Sequence, residues 1–206
     1  MIGDIRTGLI TSADGAKNES RGSQQGGLVI QPDGGKYEEP AIRQQMCFSY
    51  CAARATSVPA TAQIGNIIWN PPGSGVVLVM CKWSVQIQAT SATALGITFG
   101  YGAQATTPTT VTVADAYGST YLNAGSPGNC KAKAYAIATL GVAPTPVMNL
   151  VHNTAAIATT GIDSAQGDFE GIWVIPPGYV GTLSAITAAV AAAGMTSTLT
   201  WKEMKI

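Results

Sequence analysis

Charge is scarce in this sequence. Of 206 residues, 11 are Lys or Arg and 11 are Asp or Glu, which is 11% against about a quarter in an average globular domain. No basic excess exists to neutralise phosphates, so a nucleic-acid partner is not expected. No block of like charge marks an acidic tail or a polybasic membrane patch. One histidine, His152, and 11 carboxylates leave little material for acid–base chemistry. Long runs of large aliphatic residues are missing too. The longest uncharged candidate span, Tyr179 to Trp201, is built mainly of Ala, Thr, Ser and Gly. A membrane helix needs about 20 mainly apolar residues; this stretch reads instead as two strands joined near Gly194, and no membrane partner is expected. The N-terminal MIGDIRTGLITSADG has no apolar run of signal-peptide length, because Asp4 and Arg6 interrupt it. The four cysteines, Cys47, Cys51, Cys81 and Cys130, lack the paired close spacings of a zinc site. No metal and no cofactor is expected. Buried thiols packed as small hydrophobes are the expectation, and the spacing leaves a disulfide open.

What is present is a folded, glycine-rich chain with an uneven composition. Hydrophobic residues make up 46% and the mean hydropathy is +0.20, which excludes a wholly unstructured polymer. Residues 1–54 hold 12 of the 22 charged side chains, along with Asp14-Gly15, Gly26-Gly27 and Asp33-Gly34-Gly35. Such a segment cannot bury enough apolar surface to fold alone, so residues 1–54 are expected to form an extended polar arm. Residues 55–206 are expected to form the folded domain. That domain has no charge from Trp83 to Ala114, nor from Ala134 to Ile162. A monomer ordinarily places charge on its outward faces. Charge depletion is a mark of interface cores, so an assembled state is expected.

The periodicity is that of strands. Val76–Gln88 begins as an apolar run and ends in alternation; Leu95–Phe99 and Lys131–Ile137 alternate. In Thr196–Ile206, strict counting puts Leu199, Trp201, Glu203 and Lys205 on one face, which suggests a bulge or an edge near Lys202. Ser184–Ala193 is rich in alanine and fits either a strand or a short helix. Two segments echo one another: Ile68-Trp-Asn-Pro-Pro-Gly and Ile172-Trp-Val-Ile-Pro-Pro-Gly, each running into a strand. Pro72 and Pro177 suit position i+1 of a type II turn, and Gly73 and Gly178 suit the positive φ at i+2. Pro71, Pro72, Gly73 and Pro176, Pro177, Gly178 therefore read as equivalent corners of two strand sets. Paired Greek-key halves build a jelly roll, and the predicted fold is an all-β, jelly-roll antiparallel β-sandwich with an extended N-terminal arm.

Catalytic constellations are hard to assemble. His152 stands alone, no G-x-S-x-G elbow occurs, and Gly100-Tyr-Gly102 lacks the setting of a dinucleotide fold and reads as a bend in a strand. Asp163 and Asp168 flank Ser164-Ala-Gln-Gly167, which reads as a solvated turn. Asp168 and Glu170 would lie too close together for a cleft-spanning carboxylate pair. No enzymatic activity and no catalytic residue is expected. Trp69, Trp83, Trp173 and Trp201 are read as core and corner packing. Tyr101, Tyr117 and Tyr121 are the better candidates for exposed ring platforms, because they are expected in Thr- and Gly-rich loops.

The pieces Asn70–Gly75, Pro176–Gly178 and Leu199–Glu203 together resemble the small jelly-roll structural proteins of tailed bacteriophages, over roughly the region Trp69–Ile206. The resemblance implies a virion component without catalytic residues, often trimeric: a capsid cement or decoration protein that stabilises the assembled head. The implied partner is the major capsid protein, with arms contacting neighbours in a homotrimer. Its implied location is the virion, after synthesis in the host cytoplasm. The alternative it carries is a tail or baseplate accessory, or a host-glycan-binding module of the virion.

Overall fold

The computed structural model describes residues 46–87, 95–119, 130–153, 163–186 and 194–206, and all twelve strands lie among them. The chain divides into two units, Met1–Glu39 and Pro40–Ile206, and every strand among the described residues belongs to the second. In chain order the strands are β1 (Met46–Ala55), β2 (Ala62–Asn70), β3 (Val76–Ile87), β4 (Leu95–Ala103), β5 (Thr109–Val113) and β6 (Ala116–Ser119), followed by β7 (Lys133–Thr139), β8 (Thr145–Asn153), β9 (Asp163–Asp168), β10 (Val174–Ile175), β11 (Tyr179–Ala185) and β12 (Gly194–Lys205). They form two six-stranded antiparallel sheets packed as a β-sandwich. Sheet 1 runs β10-β3-β12-β1-β6, with β9 also paired to β3; sheet 2 runs β5-β7-β2-β11-β4-β8.

The pairing is nested. β1 pairs with β12, β2 with β11, β3 with β9 and β10, and β4 with β8. The first half of the chain thus meets the second half in reverse order, alternating between the sheets. β5, β6 and β7 are inserted between β4 and β8. β5 and β7 widen sheet 2 beyond β2, while β6 widens sheet 1 beyond β1.

Alternation decides which side chains fill the space between the sheets. Leu199 and Trp201 of β12 and Leu78, Met80, Val85 and Ile87 of β3 face Ile68, Ile97, Phe99 and Leu183 of sheet 2, and all are buried. Each such side chain contributes about 1.5–3 kcal/mol on burial. The alternation of β12 holds from Met195 to Glu203. The irregularity expected near Lys202 falls on the neighbouring strand instead: the β3–β12 register shifts between Thr200 and Trp201, where Cys81 is the extra residue. This bulge lets β3 turn Met80 and then Trp83 into the core. A polar bridge crosses the middle of the sandwich. The Ser49 hydroxyl of β1 donates to Asn66 Oδ1 of β2 at 2.7 Å, and Asn66 Nδ2 donates to Ser197 O of β12 at 3.3 Å.

Two expectations need correction. The folded unit starts earlier than residue 55, because β1 spans Met46–Ala55 and lies between β12 and β6. Its inward positions are Cys47, Ser49 and Cys51, small residues that give no large-apolar signal, and it lies next to a charge-rich stretch. Asp163–Asp168 is not a solvated turn but strand β9, paired along β3 from Lys82 to Ile87. Residues 1–45, Gln88, and most of the Ser184–Ala193 ambiguity lie outside the described residues; Ser184 and Ala185 end β11. Among the described residues no helix is long and apolar enough to cross a membrane.

Candidate functional site

The two Pro-Pro-Gly corners lie side by side. Gly73 has φ +75° and Gly178 φ +81°, the positive values a type II turn requires at i+2. Ser74 N donates to Pro71 O at 3.1 Å, closing the first turn. Both corners carry the chain between sheets, from β2 to β3 and from β10 to β11. Asn70 joins them. Its Nδ2 donates to Val76 O at 2.9 Å and to Ile175 O at 3.0 Å, and its own carbonyl accepts from Gly178 N at 2.8 Å. Asn70 is fully buried. The echo between the two segments therefore marks one composite corner, with a buried amide at its centre.

Cys47 and Cys130 form a disulfide, which corrects the expectation of four thiols. The residues are 83 positions apart, and Glu203 anchors the backbone beside the second of them. Trp201 is the β12 partner of Cys47, and Glu203 lies two residues further along the same inward face. Its carboxylate accepts from Lys131 N and Ala132 N, each at 2.9 Å. It thus holds the residues after Cys130 against β12, the strand that pairs with β1. Cys47, Cys130 and Glu203 cluster closely enough to suggest a metal-ligand group. With the sulfurs joined and the carboxylate engaged by two backbone N–H groups, that cluster reads as a structural clamp. Cys51 is a buried thiol and Cys81 a half-buried one.

The four tryptophans sit where packing was expected. Trp83 and Trp201 are buried in the main core, and Trp173 packs against it with its ring 6.1 Å from Phe99. Trp69 belongs to a second apolar cluster, and its Nε1 donates to Gln104 O at 2.9 Å. The tyrosine candidates fare differently. Tyr101 and Tyr117 lie in strands β4 and β6 rather than in loops: Tyr101 stacks on Tyr179 with ring centroids 5.1 Å apart, Tyr117 is buried against Ala134 and Ala136, and Tyr121 lies outside the described residues. Burial pushes the phenols of Tyr101, Tyr117 and Tyr135 above their ordinary value. His152 lies near the end of β8, opposite Gly96. Asp163 opens β9, and Asp168 Oδ1 accepts from Glu170 N at 2.8 Å as β9 ends. The topology places His152 on sheet 2 and both aspartates on sheet 1.

The charge is segregated between the sheets. The strands of sheet 2 contain one charged residue, Lys133, whereas those of sheet 1 contain Arg54, Lys82, Asp163, Asp168, Lys202, Glu203 and Lys205. The edges differ accordingly. Sheet 1 ends in the four-residue β6 on one side, and on the other in the two-residue β10 and in β9, which carries an aspartate at each end. Sheet 2 ends in β5 and β8, both uncharged, and neither has a second strand partner among the described residues. All five residues of β5 are exposed, including Val111 and Val113; Val147 and Met148 of β8 are exposed as well. Proteins usually protect an edge with charge, proline or shortness. Neither edge is protected by charge: β8 carries Pro146 and two bulges, where Leu150 and Val147 are the extra residues, and the β5–β7 register is irregular between Thr109 and Val113. No family model, no curated protein and no solved structure matches this chain.

Proposed function

We propose that this chain is a structural, non-catalytic virion subunit. In this reading it is a jelly-roll cement or decoration protein of a tailed-phage head, acting as a homotrimer on the major capsid protein. The observation that carries the reading is the pair of uncharged strand edges on sheet 2, beside a sheet 1 whose edges are short or acidic. Uncharged edges that expose Val111, Val113, Val147 and Met148 suit a protein whose neighbours cover them. The nested strand pairing supports the jelly-roll wrapping, and the disulfide suits a particle that leaves the reducing cytoplasm. The mechanism is mechanical. A subunit that binds only the assembled lattice stabilises it by about 2.7 kcal/mol per site when its concentration is 100-fold above Kd. Residues 1–45, polar and turn-rich, supply further contacts to neighbouring subunits, and each added contact raises avidity through effective concentration.

Quantitative mass spectrometry of purified particles tests this. A copy number comparable with that of the major capsid protein is the expected result. A copy number of a few per particle would reject the cement role and place the chain in a tail or baseplate.

A further inference from the structure

The outer face of sheet 1 is hollowed where a solvated sheet is ordinarily covered by long charged side chains. Cross-strand partners point to the same face, so the registers define rows of side chains across four strands. The central row is Tyr50, Thr198, Ser84 and Gln166, on β1, β12, β3 and β9. Four strands about 4.8 Å apart make this row about 14 Å wide. On one side lies a row of Thr196, Gln86 and Ser164; on the other, Phe48, Thr200, Lys82 and Asp168. Two adjoining depressions, of about 550 and 430 Å³, lie over these rows and share Ser84, Gln166 and Thr198. The hollow exists because the middle strands present short side chains at its floor, Thr198 and Ser84. Tyr50, which is exposed, stands at one end of the central row and Gln166 at the other.

We propose that this trough binds a neutral oligosaccharide. The argument is chemical complementarity. Serine and threonine hydroxyls and glutamine amides each both donate and accept hydrogen bonds, which matches a ligand whose own groups do both. Ser84, Thr198 and Gln166 form no side-chain hydrogen bond among the described residues, so their capacity remains for a ligand. Lys82 and Asp168 face one another as cross-strand partners and cancel, so the trough offers no net charge to a phosphate or a carboxylate. A peptide strand would take a sheet edge rather than a sheet face, and an apolar ligand would find few apolar side chains. The Tyr50 ring, with half-buried Phe48 beside it on the same face of β1, supplies a flat apolar surface suited to the C–H face of a pyranose, with its hydroxyl at the polar end. The width of the central row accommodates two or three sugar rings.

The test uses the isolated full-length protein, so it is independent of any role in particle assembly. Binding is measured by calorimetry against neutral gluco-, galacto-, manno- and N-acetylhexosamine oligosaccharides, with sialylated and sulfated oligosaccharides as anionic counterparts. At least one neutral series is expected to bind at millimolar affinity or better, with little dependence on salt. Tyr50→Ala and Gln166→Ala should each weaken it at least tenfold. Both side chains are exposed, so Tm should not move; Ser84→Lys, which fills the floor, should abolish binding. Absence of binding by every neutral series overturns the proposal. So does binding that survives both alanine variants and Ser84→Lys, or binding confined to anionic oligosaccharides and lost at high salt.

Discussion

Asn70 is the residue on which most of the corner depends. Its amide donates to two carbonyls from opposite halves of the chain, Val76 O and Ile175 O. Removing a buried partner leaves those acceptors without a donor, at about 1–3 kcal/mol. Asn70→Ala is therefore expected to lower the free energy of unfolding by that amount in urea titration. Asn70→Asp should cost more at neutral pH, because a carboxylate would face two carbonyl oxygens with no proton to give. Part of that loss should return as the pH falls and the acid regains a proton; equal stability of the two variants across pH 4–8 would refute the role given to the amide. Glu203→Ala is the companion case at the disulfide, where two backbone N–H groups lose their acceptor. At the alkaline end, Tyr101, Tyr117 and Tyr135 have phenol pKa values raised mainly by burial. Their contribution to stability is complete below the ordinary value of about 10 and is lost as the pH rises through the raised folded-state values. Spectrophotometric titration should show a late-ionising class of tyrosines that disappears in denaturant.

At the scale of elements, strand β9 illustrates what sequence patterns conceal. Its residues Asp-Ser-Ala-Gln-Gly-Asp contain no large apolar side chain, so period-two alternation has nothing to register. The reason is steric. A Cβ at Gly167 would come within 2.7–2.8 Å of the Trp83 indole, so the ring occupies the volume that β9 leaves empty. Gly167→Ala is expected to cost about 1–3 kcal/mol through overpacking, read as a lower Tm. β1 was concealed for a related reason, since its inward set is Cys47, Ser49 and Cys51. By contrast β3, β4, β7 and β12 were visible from sequence because their inward positions carry branched, aromatic or alternating apolar residues. The Pro-Pro-Gly corners were visible because proline and glycine dictate φ locally. Asn70 as the link between them was not, although an asparagine immediately before Pro-Pro-Gly was available as a signal. The Cys47–Cys130 pairing was invisible because the two residues are 83 positions apart and meet only through the tertiary fold, beside the Glu203 carboxylate of β12.

The whole molecule divides its labour between two sheets. Sheet 1 holds most of the strand charge, the disulfide clamp and the trough; sheet 2 holds the uncharged edges. The disulfide closes a loop of 83 residues between β1 and the start of β7, for which chain entropy predicts roughly 4–5 kcal/mol and measured bridges typically give 2–4. The double variant Cys47→Ser/Cys130→Ser should lose stability in that range while Cys51→Ser and Cys81→Ser lose less. Assembly, on this account, belongs to β5 and β8. A lysine on an edge strand opposes pairing with a second chain without entering the core, so Val111→Lys with Val113→Lys should leave the fold intact and disfavour association. The most direct measurement is the molar mass in solution by light scattering, for the natural chain and for that double variant. The account predicts three times the 21.0 kDa chain mass for the natural chain and a shift toward the single-chain mass for the variant. A natural chain that is monomeric, or a double variant that stays fully trimeric, would contradict it.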